Sequence, residues 1–190
     1  MSLQRPTVIV LDRDGVINED SPDYIKSPAE WAALPGSLDA IARMYAGGFL
    51  LGIATNQSGV GRGLFSLETL WDIHQKMLAE IAGAGGYVER IFFCLHTPED
   101  NCDCRKPKPG LLYQAAEYFA CGVENMIMIG DSTRDIEAAT TAGARAVLLR
   151  TGKGQQAEQE LLHTNVPVYD DLSAAADALL AERSTASNAS

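Results

Sequence analysis

The sequence has no apolar run long enough to span a membrane, and aromatic side chains make up only 7% of its 190 residues. Positive charge is also scarce, with 15 Lys and Arg against 25 Asp and Glu and a formal net charge of −10. This balance argues against nucleic acid or an anionic membrane as a partner. It leaves room for a phosphorylated substrate, because a metal and a few local cations can make a positive pocket. The chain shows no secretory signal and no pattern of a dimer, so we expect a cytoplasmic monomer.

Short apolar runs alternate with segments of helical periodicity along the chain. This alternation is typical of a doubly wound α/β fold, in which helices cover both faces of a mostly parallel sheet. No large insertion interrupts it, so we expect a single domain over residues 1–183 without a cap domain. The small, polar residues 184–190 are expected to form a disordered tail. The predicted strands are Val8–Leu11, 49–54, 90–93, 126–129, 144–149 and a weak one at 166–169, and the predicted helices are Ser37–Ala46, 67–82, 110–120, 134–142 and 172–181.

Two carboxylates, Asp12 and Asp14, come directly after the first predicted strand, and Gly15 follows them. Two close carboxylates at the end of an apolar strand repel each other and are costly to bury. We therefore expect a cation beside them, and hard oxygen ligands of this kind suit Mg²⁺. For this motif alone, a helix N-cap aspartate with a solvated neighbour is the alternative.

Polar segments also follow the next three predicted strands. Because the carboxyl ends of parallel strands meet at one edge of the sheet, these segments should converge with the acidic pair and form an active site. Thr55 offers a hydroxyl, Lys106 a positive charge for a phosphate, and Asp131 a third carboxylate for Mg²⁺. Asp12 is placed to act as a nucleophile and Asp14 as a general acid and base. The three segments are 55–59, 105–110 and 130–135.

Three of the four cysteines lie close to a histidine in the sequence. Three thiolates and one imidazole form a closed ligand set that is typical of structural Zn²⁺. In a reducing compartment, clustered Cys and His favour metal binding over disulfides, although free thiols beside an unrelated histidine are the alternative. We expect the zinc to fix the loop 94–104 and the cations Arg105 and Lys106 that follow it. The predicted ligands are Cys94, His96, Cys102 and Cys104.

These motifs resemble those of the haloacid dehalogenase superfamily of phosphatases, in the same order and over residues 8–150. The resemblance implies a Rossmann-like core, with Asp12 as nucleophile, Asp14 as acid and base, and Thr55 and Lys106 as phosphate stabilisers. It also implies Mg²⁺ held by Asp12, Asp131 and the backbone carbonyl of Asp14. The residues that carry the resemblance are Asp12-Arg13-Asp14-Gly15-Val16, Thr55, Lys106-Pro107 and Gly130-Asp131 followed by Asp135.

Two residues near these motifs, Asp135 and Arg13, each have two possible roles, and Lys108 is given a minor one. Asp135 either orients the site or caps the helix that follows it. Arg13 either contacts the catalytic residues without touching the substrate or lies on the surface. Lys108 is interpreted as a solvated neighbour of Lys106, because the superfamily pattern places the functional lysine before the first proline.

The zinc set beside these motifs resembles a branch of the superfamily that acts on heptose bisphosphates and on histidinol phosphate. Segments 55–63 and 149–153 are similar to the heptose enzymes, whereas the five-residue gap between His96 and Cys102 is similar to the histidinol-phosphate type. The resemblance implies a Mg²⁺-dependent phosphatase that removes the 7-phosphate of D-glycero-D-manno-heptose 1,7-bisphosphate through an aspartyl phosphate, in lipopolysaccharide core biosynthesis. Histidinol-phosphate phosphatase is the first alternative. A phospho-accepting receiver domain and a zinc-stabilised binding module are non-enzymatic alternatives.

A sugar bisphosphate would place its second phosphate several ångströms from the first. Arg105 is positioned to bind that phosphate with a bidentate guanidinium. The segment 20–24 could hydrogen-bond sugar hydroxyls, although 20–23 is equally a plain turn. The role of Lys153 and the preferred anomer stay open. The expected substrate-binding residues are Asp20, Asp23, Tyr24, Asn56, Gln57, Ser58, Arg62, Arg105, Lys106 and Ser132.

Overall fold

The structure is a computed structural model that describes residues 7–188. Its centre is a six-stranded parallel sheet with the strand order β3-β2-β1-β4-β5-β6. The predicted α/β fold with a parallel sheet is therefore confirmed. The strands are β1 (Val8–Leu11), β2 (Leu50–Asn56), β3 (Arg90–Cys94), β4 (Met126–Gly130), β5 (Arg145–Leu149) and β6 (Val168–Tyr169).

Seven α-helices in the described part of the chain cover both faces of this sheet. Within residues 7–188, no helix is both long enough and apolar enough to cross a membrane. Three short 3₁₀ helices (Pro28–Glu30, Pro98–Asp100 and Val123–Asn125) complete the connections. The α-helices are α1 (Ser37–Ala46), α2 (Ser58–Gly61), α3 (Leu67–Gly83), α4 (Gly110–Tyr118), α5 (Thr133–Ala142), α6 (Gly154–Glu160) and α7 (Leu172–Asn188).

Alternate side chains of β1 supply two hydrophobic cores, one on each face of the sheet. Ile9 and Leu11 pack into the core formed with α1, α3 and α7. Val8 and Val10 pack into the core formed with α4, α5 and α6. All four β1 residues are buried, which explains why this strand reads as a continuous apolar run rather than an alternating one.

The structure differs from the predicted elements in three places. The sequence did not predict α2 or α6, because both are short and contain glycine and polar residues. Helix α7 continues to Asn188, so residues 184–188 are helical where we predicted disorder. The Ser184 and Thr185 hydroxyls donate to backbone carbonyls one turn earlier, which satisfies these polar side chains within the helix. Residues 189–190 of the predicted tail lie outside the described residues.

The strand order places a crevice at the carboxyl ends of β1 and β4. The chain runs from β1 to β2 and β3 on one side of the sheet, then crosses to β4 on the other side of β1. Ligands bind at such a reversal point in open α/β sheets. Leu11 pairs with both Ile53 and Ile129, so the residues that follow β1, β2 and β4 emerge side by side.

Candidate active site

The loop after β1 turns sharply and carries the acidic pair into the crevice. The backbone N–H of Asp12 donates to the Ile129 carbonyl at 2.9 Å, which ties the loop to β4. Gly15 has a φ of +82°, and a Cβ atom at this position would lie 2.1 Å from Asp131 Oδ2. Only glycine fits such a left-handed turn at this distance from a carboxylate. The glycine that follows the acidic pair is therefore required by the approach of Asp131.

Lys106 enters the crevice from the loop after β3 and is almost fully buried. Its Nζ lies 3.0 Å from Asp12 Oδ1 and 2.6 Å from Asp135 Oδ1, and it donates to the Ala54 carbonyl at 2.7 Å. Lys108, in contrast, lies at the surface, where its ammonium contacts Asn101 and Asp103. The predicted assignment of the two lysines agrees with this placement.

Asp135 occupies both positions that the sequence left as alternatives. Its Oδ2 accepts hydrogen bonds from the Ser132 backbone N–H and hydroxyl at 3.1 and 2.6 Å, which forms a capping box at the start of α5. Its Oδ1 faces the Lys106 ammonium. One carboxylate therefore fixes the helix N-terminus and the lysine together.

Three carboxylates crowd around this single lysine. Oxygens of Asp12, Asp131 and Asp135 all lie within 4.8 Å of one another. Burial raises the pKa of Asp12 to about 8. The Lys106 charge lowers this pKa, but the neighbouring carboxylates raise it again. Burial and the Asp135 charge raise the pKa of Asp131 to about 6. A divalent cation would offset this excess of negative charge, and an all-oxygen donor set suits Mg²⁺. The residues present therefore fit the predicted metal.

The side chain of Asp14 faces a different set of partners. Arg13 donates to its carboxylate at 2.8 to 3.1 Å, Asn18 at 2.9 Å and Gln57 at 2.9 Å. Burial opposes ionisation of Asp14, but the Arg13 charge and these hydrogen bonds outweigh it and lower its pKa. The Asp14 carboxylate is therefore engaged by three side chains, and its backbone carbonyl stays a predicted metal ligand. Arg13 itself is 1% exposed, so its interpretation as a surface residue is wrong.

Amide side chains after β2 hold the site together. Gln57 Nε2 donates both to Thr55 Oγ1 and to Asp14 Oδ2 at 2.9 Å. Asn56 exchanges two hydrogen bonds with the backbone of Lys106, at 3.0 and 3.1 Å. Both amides were expected to bind substrate. Their hydrogen bonds link the strand ends that carry the acid, the hydroxyl and the lysine, and their role toward substrate stays a prediction.

The four predicted zinc ligands come together beside this site. Five of the six distances between their Sγ and Nδ1 atoms range from 3.2 to 3.7 Å, far above the S–S bond of ~2.05 Å in a disulfide. A tetrahedral Zn²⁺ with Zn–S bonds of ~2.3 Å separates its sulfurs by ~3.8 Å, so the donor set fits this metal. Arg105 Nη1 donates to the carbonyl of His96 at 3.1 Å, which ties the cluster to the crevice. The ligand residues are Cys94, His96, Cys102 and Cys104.

The crevice encloses a cavity of about 330 Å³, at the small end of the ~300–1,000 Å³ range of small-molecule sites. Arg62 and Asp23 are not among the residues that line it. Arg62 is exposed and faces Glu99 at 3.7 Å, and Asp23 lies at the exposed side of its turn. The predicted residues that line the cavity are Asp12, Asp14, Asp20, Tyr24, Thr55, Asn56, Gln57, Ser58, Arg105, Lys106, Asp131 and Ser132.

Comparisons with known proteins agree with this geometry. A sequence profile of the HAD-hydrolase-like family matches residues 103–175. The chain is 46% identical over 173 residues to D-glycero-beta-D-manno-heptose-1,7-bisphosphate 7-phosphatase of Pseudomonas putida, covering 91% of this chain and 99% of the relative. It is 47% identical over 176 residues to the enzyme of the same name from Bordetella bronchiseptica, covering 92% and 98%. The chain belongs to the haloacid dehalogenase-like hydrolase family.

A solved structure supports the same assignment. It is described as D,D-heptose 1,7-bisphosphate phosphatase from B. bronchiseptica complexed with magnesium and phosphate. It matches with a TM-score of 0.90 and 45% identity, covering 93% of this chain and 99% of that chain. As a phosphatase of this family, the chain is a phosphoric monoester hydrolase, as the sequence predicted.

The structure adds two cations to the phosphatase site that were not among the predicted substrate-binding residues. Arg134 and Lys153 both line the cavity, on the side of β4 and of the loop after β5. Lys153 pairs with Asp20 at 2.5 Å, and its backbone N–H donates to Asp131 Oδ2 at 2.9 Å. Position in the chain was the available signal, because Arg134 lies inside the predicted polar segment 130–135 and Lys153 inside the segment 149–153.

Proposed function

We propose that this phosphatase removes the 7-phosphate of D-glycero-β-D-manno-heptose 1,7-bisphosphate, and that its product serves ADP-heptose supply for lipopolysaccharide core. The observation that carries the chemistry is the position of Asp12 at the cavity floor, between Lys106 and the carboxylates Asp131 and Asp135. The names of the relatives support the substrate and its β anomer.

Mg²⁺ is the inferred cofactor, held by Asp12, Asp131 and the Asp14 carbonyl. When bound, it neutralises phosphate charge and keeps the Asp12 carboxylate ionised. The raised pKa values of Asp12 and Asp131 support this inference, because both carboxylates lack a sufficient counter-charge from Lys106 alone.

In the first step, an oxygen of Asp12 attacks phosphorus in line with the leaving C7 oxygen. The phosphorus–oxygen bond to the sugar breaks, and its electron pair stays on the sugar oxygen. Asp14, protonated for this step, gives its proton to that oxygen. Lys106 and the Thr55 hydroxyl are placed to bind the transferring phosphoryl oxygens. The result is an aspartyl phosphate on Asp12 and a free sugar hydroxyl.

In the second step, Asp14 is ionised and takes a proton from water. The water oxygen attacks phosphorus, and the bond between phosphorus and Asp12 breaks to release inorganic phosphate. The low pKa of Asp14 favours this base form in the second step. Its hydrogen bonds from Arg13 keep the carboxyl group in place.

The second phosphate of the substrate is expected to meet the cations at the cavity rim. Arg105, Arg134 and Lys153 line the cavity and carry the exposed positive charge of this rim. Structural zinc is proposed to hold Arg105 in place, and the hydrogen bond from Arg105 to the His96 carbonyl supports this role. Arginine suits this position because its planar fork binds phosphate in a bidentate manner.

The mechanism is tested by replacing Asp12. We expect Asp12→Asn to abolish turnover while leaving far-UV circular dichroism and zinc content unchanged. Acid-quenched wild-type enzyme should carry a base-labile phosphoryl group that mass spectrometry places on Asp12. Substantial turnover by Asp12→Asn would reject the nucleophile.

The substrate is tested by comparing kcat/KM for the two anomers of heptose 1,7-bisphosphate and for histidinol phosphate. We expect the β anomer to be preferred over both. A higher kcat/KM for histidinol phosphate would instead support the alternative that the short gap between His96 and Cys102 suggests. In that case the phosphatase chemistry stands and the sugar assignment fails.

A further inference from the structure

His74 on α3 lies completely buried behind the acidic loop and contacts Arg13. Arg13 Nη1 and His74 Nε2 are 3.4 Å apart, and the Arg13 side chain is 1% exposed. The rings of Trp71 and Phe93 stand against the imidazole, with centroids at 6.3 and 5.9 Å, and fix its plane. His74 does not line the cavity, whereas Arg13, which it contacts, does.

Arg13 connects this histidine to Asp14. A guanidinium is planar and carries five N–H donors in fixed directions. Its Nε and Nη2 atoms donate to the Asp14 carboxylate at 2.8 to 3.1 Å. Its Nη1 atom points the other way, toward His74. The guanidinium therefore orients the carboxylate together with Asn18 and Gln57, and His74 is the side chain that contacts the far end of the guanidinium plane.

The contact requires a neutral imidazole, because a second cation at this distance from Arg13 would repel it. Burial, and then the Arg13 charge, lowers the pKa of His74 to about 3. The ring is therefore neutral at physiological pH, and Nε2 can accept the hydrogen bond from Arg13. The ring proton then resides on Nδ1.

A buried histidine at position 74 is unfavourable if it serves only to fill the core. His74 Nδ1 is buried and has no hydrogen-bond partner in the part of the chain that the structure describes. An unpaired buried donor costs ~1–3 kcal/mol. The neighbouring buried positions of the same helix, Leu70, Ile73 and Met77, are apolar, and an apolar residue at 74 would avoid the cost. Packing therefore does not explain a histidine here, whereas acceptance from Arg13 does.

We propose that His74 is a positioning residue for Asp14, and that its Nε2 holds the Arg13 guanidinium in the plane that aims the Asp14 carboxylate at the leaving oxygen. This inference rests on the acid role proposed above for Asp14. Without the hydrogen bond, the guanidinium is free to turn, and the Asp14 carboxylate shifts from the position that Arg13, Asn18 and Gln57 set together. A displacement of ~1 Å of a catalytic group can cost ~100-fold in rate.

The test compares His74→Leu with His74→Gln on two substrates of different leaving group. Leucine removes the acceptor, whereas the glutamine oxygen can replace Nε2. On heptose 1,7-bisphosphate, we expect kcat/KM of His74→Leu to fall ~10- to 100-fold, mostly through kcat, and His74→Gln to recover most of it. On p-nitrophenyl phosphate, whose leaving phenolate needs no proton, we expect kcat/KM of His74→Leu, which reports the first step alone, to fall less than ~3-fold.

Control variants separate positioning from a general loss of structure. Met77→Ala opens a cavity in the same helix without touching Arg13, and it should affect both substrates equally. His74→Asn keeps a polar side chain too short to reach Arg13, so it reports on the contact if His74→Leu does not fold. An equal loss on both substrates for the His74 variants, or no recovery in His74→Gln, overturns the proposal.

Asp14→Asn distinguishes the failure of this inference from failure of the proposed mechanism. If kcat/KM of Asp14→Asn falls selectively on the sugar phosphate and that of His74→Leu does not, only the role of His74 is rejected. If Asp14→Asn shows no such selectivity, Asp14 is not the general acid, and both assignments are rejected. We expect Asp14→Asn and His74→Leu each to lose kcat/KM selectively on the sugar phosphate. The double variant should be no more selective than Asp14→Asn alone.

Discussion

The Lys106 ammonium lies 2.6 Å from Asp135 Oδ1, and both side chains are almost completely buried. The same Asp135 caps α5 through Ser132, and the same Lys106 contacts Asp12. A single ion pair therefore joins the N-terminus of a core helix to the proposed nucleophile. The carboxylate that holds Lys106 is itself fixed at the helix N-terminus, so the fold holds the lysine beside Asp12.

Lys106→Met should both inactivate and destabilise the protein. Removing one partner of a buried ion pair costs ~3–5 kcal/mol, because the remaining charge stays buried without compensation. Asp135→Asn in the same chain should recover part of that loss, although not the activity. Urea unfolding of the two single variants and the double variant, all without Mg²⁺, measures the coupling. Additive losses would show that the pair contributes no coupling energy.

Lys108→Met is the matched control for this experiment. Lys108 is two positions away, and its ammonium is paired at the surface with Asp103 at 3.4 Å. Surface pairs of this kind contribute ~0–1 kcal/mol. We expect Lys108→Met to change the free energy of unfolding by no more than that and to keep turnover.

Much of the fold and of the site follows from the sequence for a definite reason. Asp12, Thr55 and Asp131 sit at strand ends, and strand ends of a parallel sheet meet at one edge. Local pattern therefore fixes their proximity without knowledge of tertiary contacts. The capping box of Asp135 is also local, because its partner Ser132 is three residues away.

Contacts between distant segments could not be predicted in this way. His74 reads as one more position on the buried face of α3, and nothing near it in the chain points to Arg13. The same holds for the backbone N–H of Lys153, which binds Asp131. Arg62 was predicted in the site because it lies in segment 55–63, which is similar to the heptose enzymes, but the turn at α2 directs it toward Glu99.

Gly152→Ala should damage the site more than an ordinary glycine substitution. Gly152 has a φ of +54°, and a Cβ atom there would lie 2.1 Å from Asp131 Oδ2. Gly63→Ala is the control, since its φ is +71° but a Cβ atom would meet no described atom within 4 Å. We expect ~1–2 kcal/mol of backbone strain in both variants. Only Gly152→Ala should also raise the Mg²⁺ concentration needed for half-maximal activity, and an equal Mg²⁺ requirement would contradict the close approach.

Stability of the metal-free protein should fall as pH rises from about 4 to about 8. The pKa values of Asp12 and Asp131 are raised to about 8 and about 6, so the folded state binds more protons than the unfolded state in this window. Stability then decreases with pH until both groups have ionised, and the lowered pKa of His74 offsets part of this decrease below about pH 6.5. Saturating Mg²⁺ should reverse this trend, because it favours the charged carboxylates. Thermal unfolding with and without Mg²⁺ at pH 5 and pH 8 measures the difference.

Asp12→Asn provides the control for the pH experiment. It removes the group with the higher pKa, so the decline of stability above pH 6 should become shallower. It should also stabilise the metal-free protein at pH 8, where the wild-type carboxylate is buried at its greatest cost. A rise in unfolding temperature on adding Mg²⁺ that is the same at pH 5 and pH 8 would argue against a metal bound by these carboxylates.

Loss of zinc should weaken substrate binding before it affects Mg²⁺. Cys104→Ser removes one ligand of the cluster, and Arg105 and Lys106 follow that residue directly. Arg105 is tied to the cluster through the His96 carbonyl, whereas Lys106 is held independently by Ala54, Asp12 and Asp135. We therefore expect KM for the bisphosphate to rise more than kcat falls. The Mg²⁺ concentration for half-maximal activity should stay close to that of the wild type.

Elemental analysis of protein purified without chelator is the first measurement, and we expect one zinc per chain in the wild type and much less in Cys104→Ser. Cys121→Ser controls for loss of a thiol, because Cys121 lies outside the cluster on the far side of α4 in the chain. It should keep its zinc and its KM. A wild-type protein without zinc rejects the structural metal. A zinc-depleted variant with unchanged KM keeps the metal but rejects its role in positioning Arg105.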